Sequence, residues 1–97
     1  MLKSRGHKIL NRNWRTRWCE IDIISQKNDV VYFTEVKYRK NADYGDGLEA
    51  ITANKLKQMK FAAEYYALKN KLSGKIQLAV SSVSGNNFLI ERWIELE

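Results

Sequence analysis

The stretch Cys19–Tyr38, CEIDIISQKNDVVYFTEVKY, decides the fold. Cys19–Ser25 alternates, which places Glu20, Asp22 and Ile24 on one face of a strand and Cys19, Ile21 and Ile23 on the other. Val30–Tyr38 is dense in β-branched and aromatic residues, with Val31, Phe33, Glu35 and Lys37 sharing a face. Between them lies the turn-prone QKND. With Asn28-Asp29 as the central residues of a type I′ turn, Lys27 pairs with Val30. Counting outward, Asp22 falls opposite Glu35, and Glu20 opposite Lys37. Directly opposed residues point to one face with Cβ atoms about 4.5–5.5 Å apart. Three carboxylates and one ammonium therefore gather in one place, and a one-residue slip would scatter them.

Opposed carboxylates repel, and partial burial strengthens the repulsion. A hard divalent cation, Mg²⁺ or Mn²⁺, neutralises such a pair because it takes oxygen ligands and keeps several waters. On this reading Asp22 and Glu35 hold the metal, Glu20 supports it directly or through water, and the Val36 carbonyl is a further ligand. Lys37 then orients a water for attack on phosphorus or stabilises charge on the phosphoryl oxygens. The same residues also read as a surface ladder, Glu20–Lys37 paired and Asp22 and Glu35 solvated, worth a fraction of a kcal/mol. The residues alone leave the two readings level.

Outward from the hairpin, Met1–Arg5 reads as the tail of a helix capped by Gly6, and His7–Trp14 as a short strand. Asn41–Gly47 (NADYGDG) is a loop. Thr52 can cap a helix from about Ala53 to Lys71. Its apolar stripe is Leu56, Met59, Ala62, Ala63 and Tyr66, spaced to lie on a sheet, and Ser73-Gly74 ends it. Lys75–Val83 and Phe88–Leu96 form two more strands around a Ser84–Asn87 turn. The order helix, three strands, helix, two strands predicts an α/β or α+β fold with a mixed sheet.

The 97 residues, 44% of them apolar, suffice for one small domain spanning 1–97. A charged fraction of 29% with three Trp, five Tyr and three Phe argues against wholesale disorder. No apolar run approaches the roughly 18 residues of a membrane span, and Met1–Leu10 lacks the apolar core of a signal peptide. One Cys and one His exclude an internal disulfide and a zinc cluster, and suit a reducing cytoplasm. No phosphate-binding G-x-x-x-x-G-K occurs. The net charge of +6 is uneven, for Met1–Cys19 carries Lys3, Arg5, Lys8, Arg12, Arg15 and Arg17 without an acid. Basic residues interleaved with Trp14 and Trp18 suit phosphate contact and base stacking; a solvated basic face is the plainer alternative. Arg39 and Lys40, just past the second site strand, are further candidate phosphate clamps.

L-x-x-x-G-x-x-I-L-x-R-N-W-R, then EIDII, F-T-E-V-K-Y-R, Y-G and E-A-I-T-x-x-K, resemble the YraN-type family of uncharacterised bacterial proteins over roughly Leu2–Ala63. That resemblance implies a PD-(D/E)XK, restriction-endonuclease-like core distantly similar to archaeal Holliday-junction resolvases, here with its first helix shortened. By position, Asp22 matches the motif aspartate, Glu35 its acidic residue and Lys37 its lysine. Glu20 matches the glutamate before the aspartate, and Lys55 the lysine opening the second helix. Three departures stand out. The family's longer first helix bears a glutamate before the position of Leu2. Trp18-Cys19 replaces two small residues before EID. Lys75-Ile76-Gln77 replaces R-F-D.

The expectation is a Mg²⁺- or Mn²⁺-dependent endonuclease-like protein that hydrolyses DNA phosphodiesters at branched or unpaired structures, with DNA rather than RNA as the expected partner. Asp22, Glu35 and Lys37 are its catalytic set, and Asp22, Glu35 and Glu20 its metal ligands. Arg12, Arg15, Arg17, Arg39, Lys40, Lys55 and Trp14 are expected to contact nucleic acid. A homodimer is expected by analogy with the resolvases. The rival is a catalytically silent nucleic-acid-binding module on the same fold, and a third reading has the basic face dock an acidic protein.

Overall fold

The computed structural model describes residues 5–39, 52–84 and 89–96. Five strands and one helix follow one another as β1 (Lys8–Arg15), β2 (Glu20–Lys27), β3 (Val30–Arg39), α1 (Ala53–Lys69), β4 (Lys75–Ser84) and β5 (Leu89–Leu96). The strands form one sheet in the order β1-β2-β3-β4-β5, antiparallel except for the parallel pair β3/β4. That parallel pair needs a crossover, which α1 supplies. The result is a mixed α+β domain compatible with a restriction-endonuclease-like core, as the order of predicted elements implied. The expected leading helix, the 41–47 loop and residues 85–87 of the second turn lie outside the described residues.

The hairpin register is the expected one, Lys27↔Val30 through Ile24↔Phe33 to Ile23↔Thr34. Its turn is not type I′. That geometry requires positive φ at both central residues, and only Asn28 has it, at 56°. The two-residue length, which both primed turns share, sets the register.

Helix α1 begins where Thr52 accepts the Lys55 N–H at 3.0 Å, as an N-cap should. Met59, Ala62, Ala63 and Tyr66 are buried against Ile24, Val31, Phe33 and Leu78 of the sheet, with Leu56 packed alongside. The helix ends at Lys69, two residues before the expected Lys71. The Leu72 N–H donates to the Ala67 carbonyl and the Lys71 N–H to Leu68, a Schellman closure with Lys71 at φ 53°. Gly74 does not stop the helix. It lets the chain pass the hairpin turn, where a Cβ would lie 2.3 Å from the Asp29 carbonyl oxygen.

One expected alternation fails. Ile21 and Ile24 are buried in the same cluster, with Cys19 against it, although residues three apart on a regular strand face opposite ways. The paired register of β2 with β3 extends no further than Ile23, while its pairing with β1 continues to Trp14↔Ile21 and Arg15↔Glu20. β1 makes the same step: Asn13, in left-handed backbone at φ 50°, separates the pairs Arg12↔Ile23 and Trp14↔Ile21.

Candidate active site at the gap between two strands

Where β2 and β3 part, a backbone N–H of β3 would go unpaired. The Val36 N–H instead donates to Asp22 Oδ2 at 2.7 Å, so a side chain satisfies a half-buried donor. Asp22 is thereby held across the gap, beside Glu35. Glu35 continues the helix-facing row of Val31 and Phe33, and its side chain is only 12% exposed. Burial first, then the neighbouring Asp22 carboxylate, pushes Glu35 above its ordinary pKa of 4.5. The sequence placed these two carboxylates together, and the structure does the same by a partly different route.

The cation beside them is Lys55. Its Nζ lies 2.6 Å from Glu35 Oε2, with the lysine side chain 26% exposed. The ion pair raises Lys55 above the ordinary lysine value, its bond to Glu35 outweighing the opposing effect of burial; Glu20 and Asp22 add to the attraction. Apart from this contact, Glu35 Oε2 is buried with no hydrogen-bond donor in good geometry among the described residues. Sequence reasoning had Lys55 contact a nucleic-acid phosphate. The signal for its closer role was a lysine in the first helical turn, where α1 carries no acid and the macrodipole opposes a cation.

Glu20 pairs with Arg15, whose Nε is 3.7 Å from its Oε2 with both side chains largely exposed, and it shares a groove with Lys55. Among the described residues no three His, Cys, Asp or Glu side chains lie close enough together to hold a metal. Asp22 and Glu35 are the carboxylates set side by side at the gap. They suit a hard divalent cation that retains water, since Glu35 Oε2 is buried, charged and already drawn to a cation. The Val36 N–H is the backbone group bound to Asp22. Lys37 lies half-buried two residues beyond Glu35.

Of the basic candidates, Arg12 is exposed at the mouth of the gap, sharing a recess with Asp22, Ile23 and Val36. Arg15, Arg17 and Lys55 line a second, separate groove. Trp14 is half-buried and packs edge-on against Tyr66, ring centroids 5.3 Å apart, so its faces serve packing as well as any ligand. The Arg39 side chain and Lys40 lie outside the described residues. No helix among the described residues is long and apolar enough to cross a membrane.

Comparison with known proteins adds a family. The profile of the uncharacterised protein family UPF0102 matches residues 1–84. A UPF0102 protein of Clostridium novyi is 48% identical over 71 residues, covering 73% of this chain and 59% of the relative. One from a Sulfurihydrogenibium species is 37% identical over 98 residues, covering 99% of this chain and 85% of its own length. A third, from Neisseria meningitidis, is 39% identical over 72 residues, 74% of this chain and 63% of the relative. The match thus spans about three-fifths of the Clostridium and Neisseria relatives.

Proposed function

The chain belongs to the UPF0102 family, and from that premise we propose that it is a metal-dependent endonuclease-like protein acting on DNA phosphodiesters at branched or unpaired structures. One observation carries the reading: Asp22 and Glu35, from two strands that part at this point, are held side by side and partly buried beneath a cation. A purely structural ion pair requires one acid, and the second carboxylate adds repulsion with no structural return. A bound Mg²⁺ or Mn²⁺ would supply Lewis-acid neutralisation of the phosphoryl charge. Asp22 and Glu35 would hold it, with Asp22 oriented by the Val36 N–H. Lys37 positions the attacking water or stabilises charge on the phosphoryl oxygens. Arg12, Arg15 and Arg17 hold the phosphate backbone on either side of the gap.

The test is cleavage of a flap or four-way junction in Mg²⁺, abolished by Glu35→Ala and by Lys37→Ala. Cutting that continues undiminished in both variants would refute the assignment. The alternative, a silent nucleic-acid-binding module, draws on the 2.6 Å contact of Lys55 with Glu35, which neutralises that carboxylate without any metal. Titration calorimetry separates them. Heat on adding Mn²⁺, lost in Asp22→Asn, supports the hydrolase; no heat, together with salt-dependent DNA binding, supports the module.

A further inference from the structure

The loop from Arg15 to Glu20 projects an indole into solvent. Trp18 is 67% exposed, the most exposed aromatic side chain among the described residues. A large apolar ring left in water asks for a partner. The loop beneath it is closed rather than loose. The Thr16 N–H donates to the Cys19 carbonyl at 2.7 Å, and Thr16 Oγ1 accepts the Trp18 N–H at 3.1 Å and the Cys19 N–H at 3.2 Å. The ring is thus presented on a fixed turn, which lowers the entropy lost when a ligand orders it.

Trp18 does not stand alone. Its ring centroid is 6.4 Å from that of Tyr65, which in turn lies 6.2 Å from Trp14 and 6.3 Å from Phe61. Phe61 is itself 52% exposed. Together they make an aromatic wall along the outer side of α1. Cations surround it: the Lys69 ammonium lies 6.0 Å over the Tyr65 ring. Arg15, Arg17 and Lys55 line the adjoining groove of about 350 Å³, which also contains Trp18 and Glu20. Lys55 reaches from this groove to Glu35, so the wall and the carboxylate pair are neighbours.

From this placement we propose that the Arg15–Glu20 loop and the outer side of α1 form a stacking platform for single-stranded DNA, with Trp18 covering the face of an unpaired base and Arg15 and Arg17 holding its phosphates. The inference rests on the hydrolase reading above and specifies its substrate as a strand with unpaired bases next to the cut. A continuous duplex keeps its base faces stacked on one another and has none to offer Trp18. Exposed aromatics flanked by two arginines and a lysine match the alternation of base and phosphate along a single strand, on a chain of net charge +6.

The experiment is fluorescence anisotropy with a dye-labelled thymidine oligonucleotide and a blunt duplex of equal length, in buffer with EDTA. Wild type is expected to bind the single strand more tightly than the duplex. Trp18→Ala is expected to weaken single-strand binding roughly tenfold, on the scale of one lost base stack, and to leave the duplex unchanged. Trp18→Phe is expected to retain most of the affinity. Arg17→Ala, also at an exposed position, is expected to reduce the slope of log affinity against log salt by about 0.7 for the single strand. Single-strand affinity in Trp18→Ala equal to wild type, or lost equally for both DNAs, overturns the platform. So does an unchanged salt slope in Arg17→Ala. Because metal is absent, the result is independent of hydrolysis: an intact platform with no Glu35-dependent cutting sinks the hydrolase alone, and the converse pair of results sinks the platform alone.

Discussion

Lys55 occupies a position that local electrostatics disfavours, an ammonium in the first turn of a helix. Its place is explained by Glu35, 2.6 Å away and pushed up in pKa by its burial and by Asp22. Each of the three charges is unfavourable taken singly, and together they offset one another. Replacing Lys55 with Met is expected to lower stability by about 1–3 kcal/mol, because a largely buried carboxylate loses its counter-ion. Adding Glu35→Gln to that background should recover part of the loss. Urea denaturation of the two single variants and the double variant gives the coupling; strictly additive losses would show that the pair contributes nothing as a pair. The carboxylate pair was legible in the sequence because strand parity and a two-residue turn set it. The lysine's partner was not, since nothing local ties residue 55 to residue 35.

At the scale of elements, the two ends of α1 differ in how openly they were written. Thr52 caps the start as its side-chain chemistry predicts. The other end is decided by Lys71, at φ 53° in a Schellman closure where glycine is usual. A left-handed non-glycine residue costs roughly 1–2 kcal/mol, of which glycine's greater freedom in the unfolded chain returns a part. Lys71→Gly is therefore expected to stabilise the protein by about 0.5–1 kcal/mol. In a domain of this size that corresponds to a rise of roughly 2–8 °C in Tm. An unchanged or lower Tm in a thermal melt would show that the Lys71 backbone is not strained. Ser73-Gly74 drew the helix end two residues too far because glycine punctuates both turns and close approaches. Only the folded chain reveals that Gly74 serves an approach, to the Asp29 carbonyl.

Across the whole molecule, the described helix covers one face of the sheet, and the opposite face buries a polar and aromatic group. His7 is buried there, its Nδ1 2.9 Å from Ser25 Oγ and its ring 4.8 Å from Tyr32 and 5.3 Å from Trp93. Burial first, then the positive charges of Lys27 and Arg5, lower its pKa below the ordinary 6.5; Glu95 opposes them weakly. In the window below 6.5 the unfolded chain takes up a proton that the folded chain resists, so the His7 contribution is lost as pH falls through it. Wild-type Tm is expected to drop more steeply between neutral and mildly acidic pH than that of His7→Gln. Parallel melting curves for the two proteins would exclude His7 as the cause. No local pattern marks His7 for burial, since its partners Ser25, Tyr32 and Trp93 come from β2, β3 and β5.

The linear chain by itself determined the hairpin register, the helix and its apolar stripe, and the meeting of Asp22 with Glu35. All of these follow from periodicity, capping and turn length, which act over a few residues. Tertiary structure alone decided that the β2–β3 register stops at Ile23, that Asp22 bridges to the Val36 N–H, that Lys55 covers Glu35 and that Trp18 stands clear of the core. Those features depend on which distant groups share a small volume and exclude water from it. Burial and Coulomb energy in such a volume are set by the neighbours that packing brings together, and no local pattern encodes them.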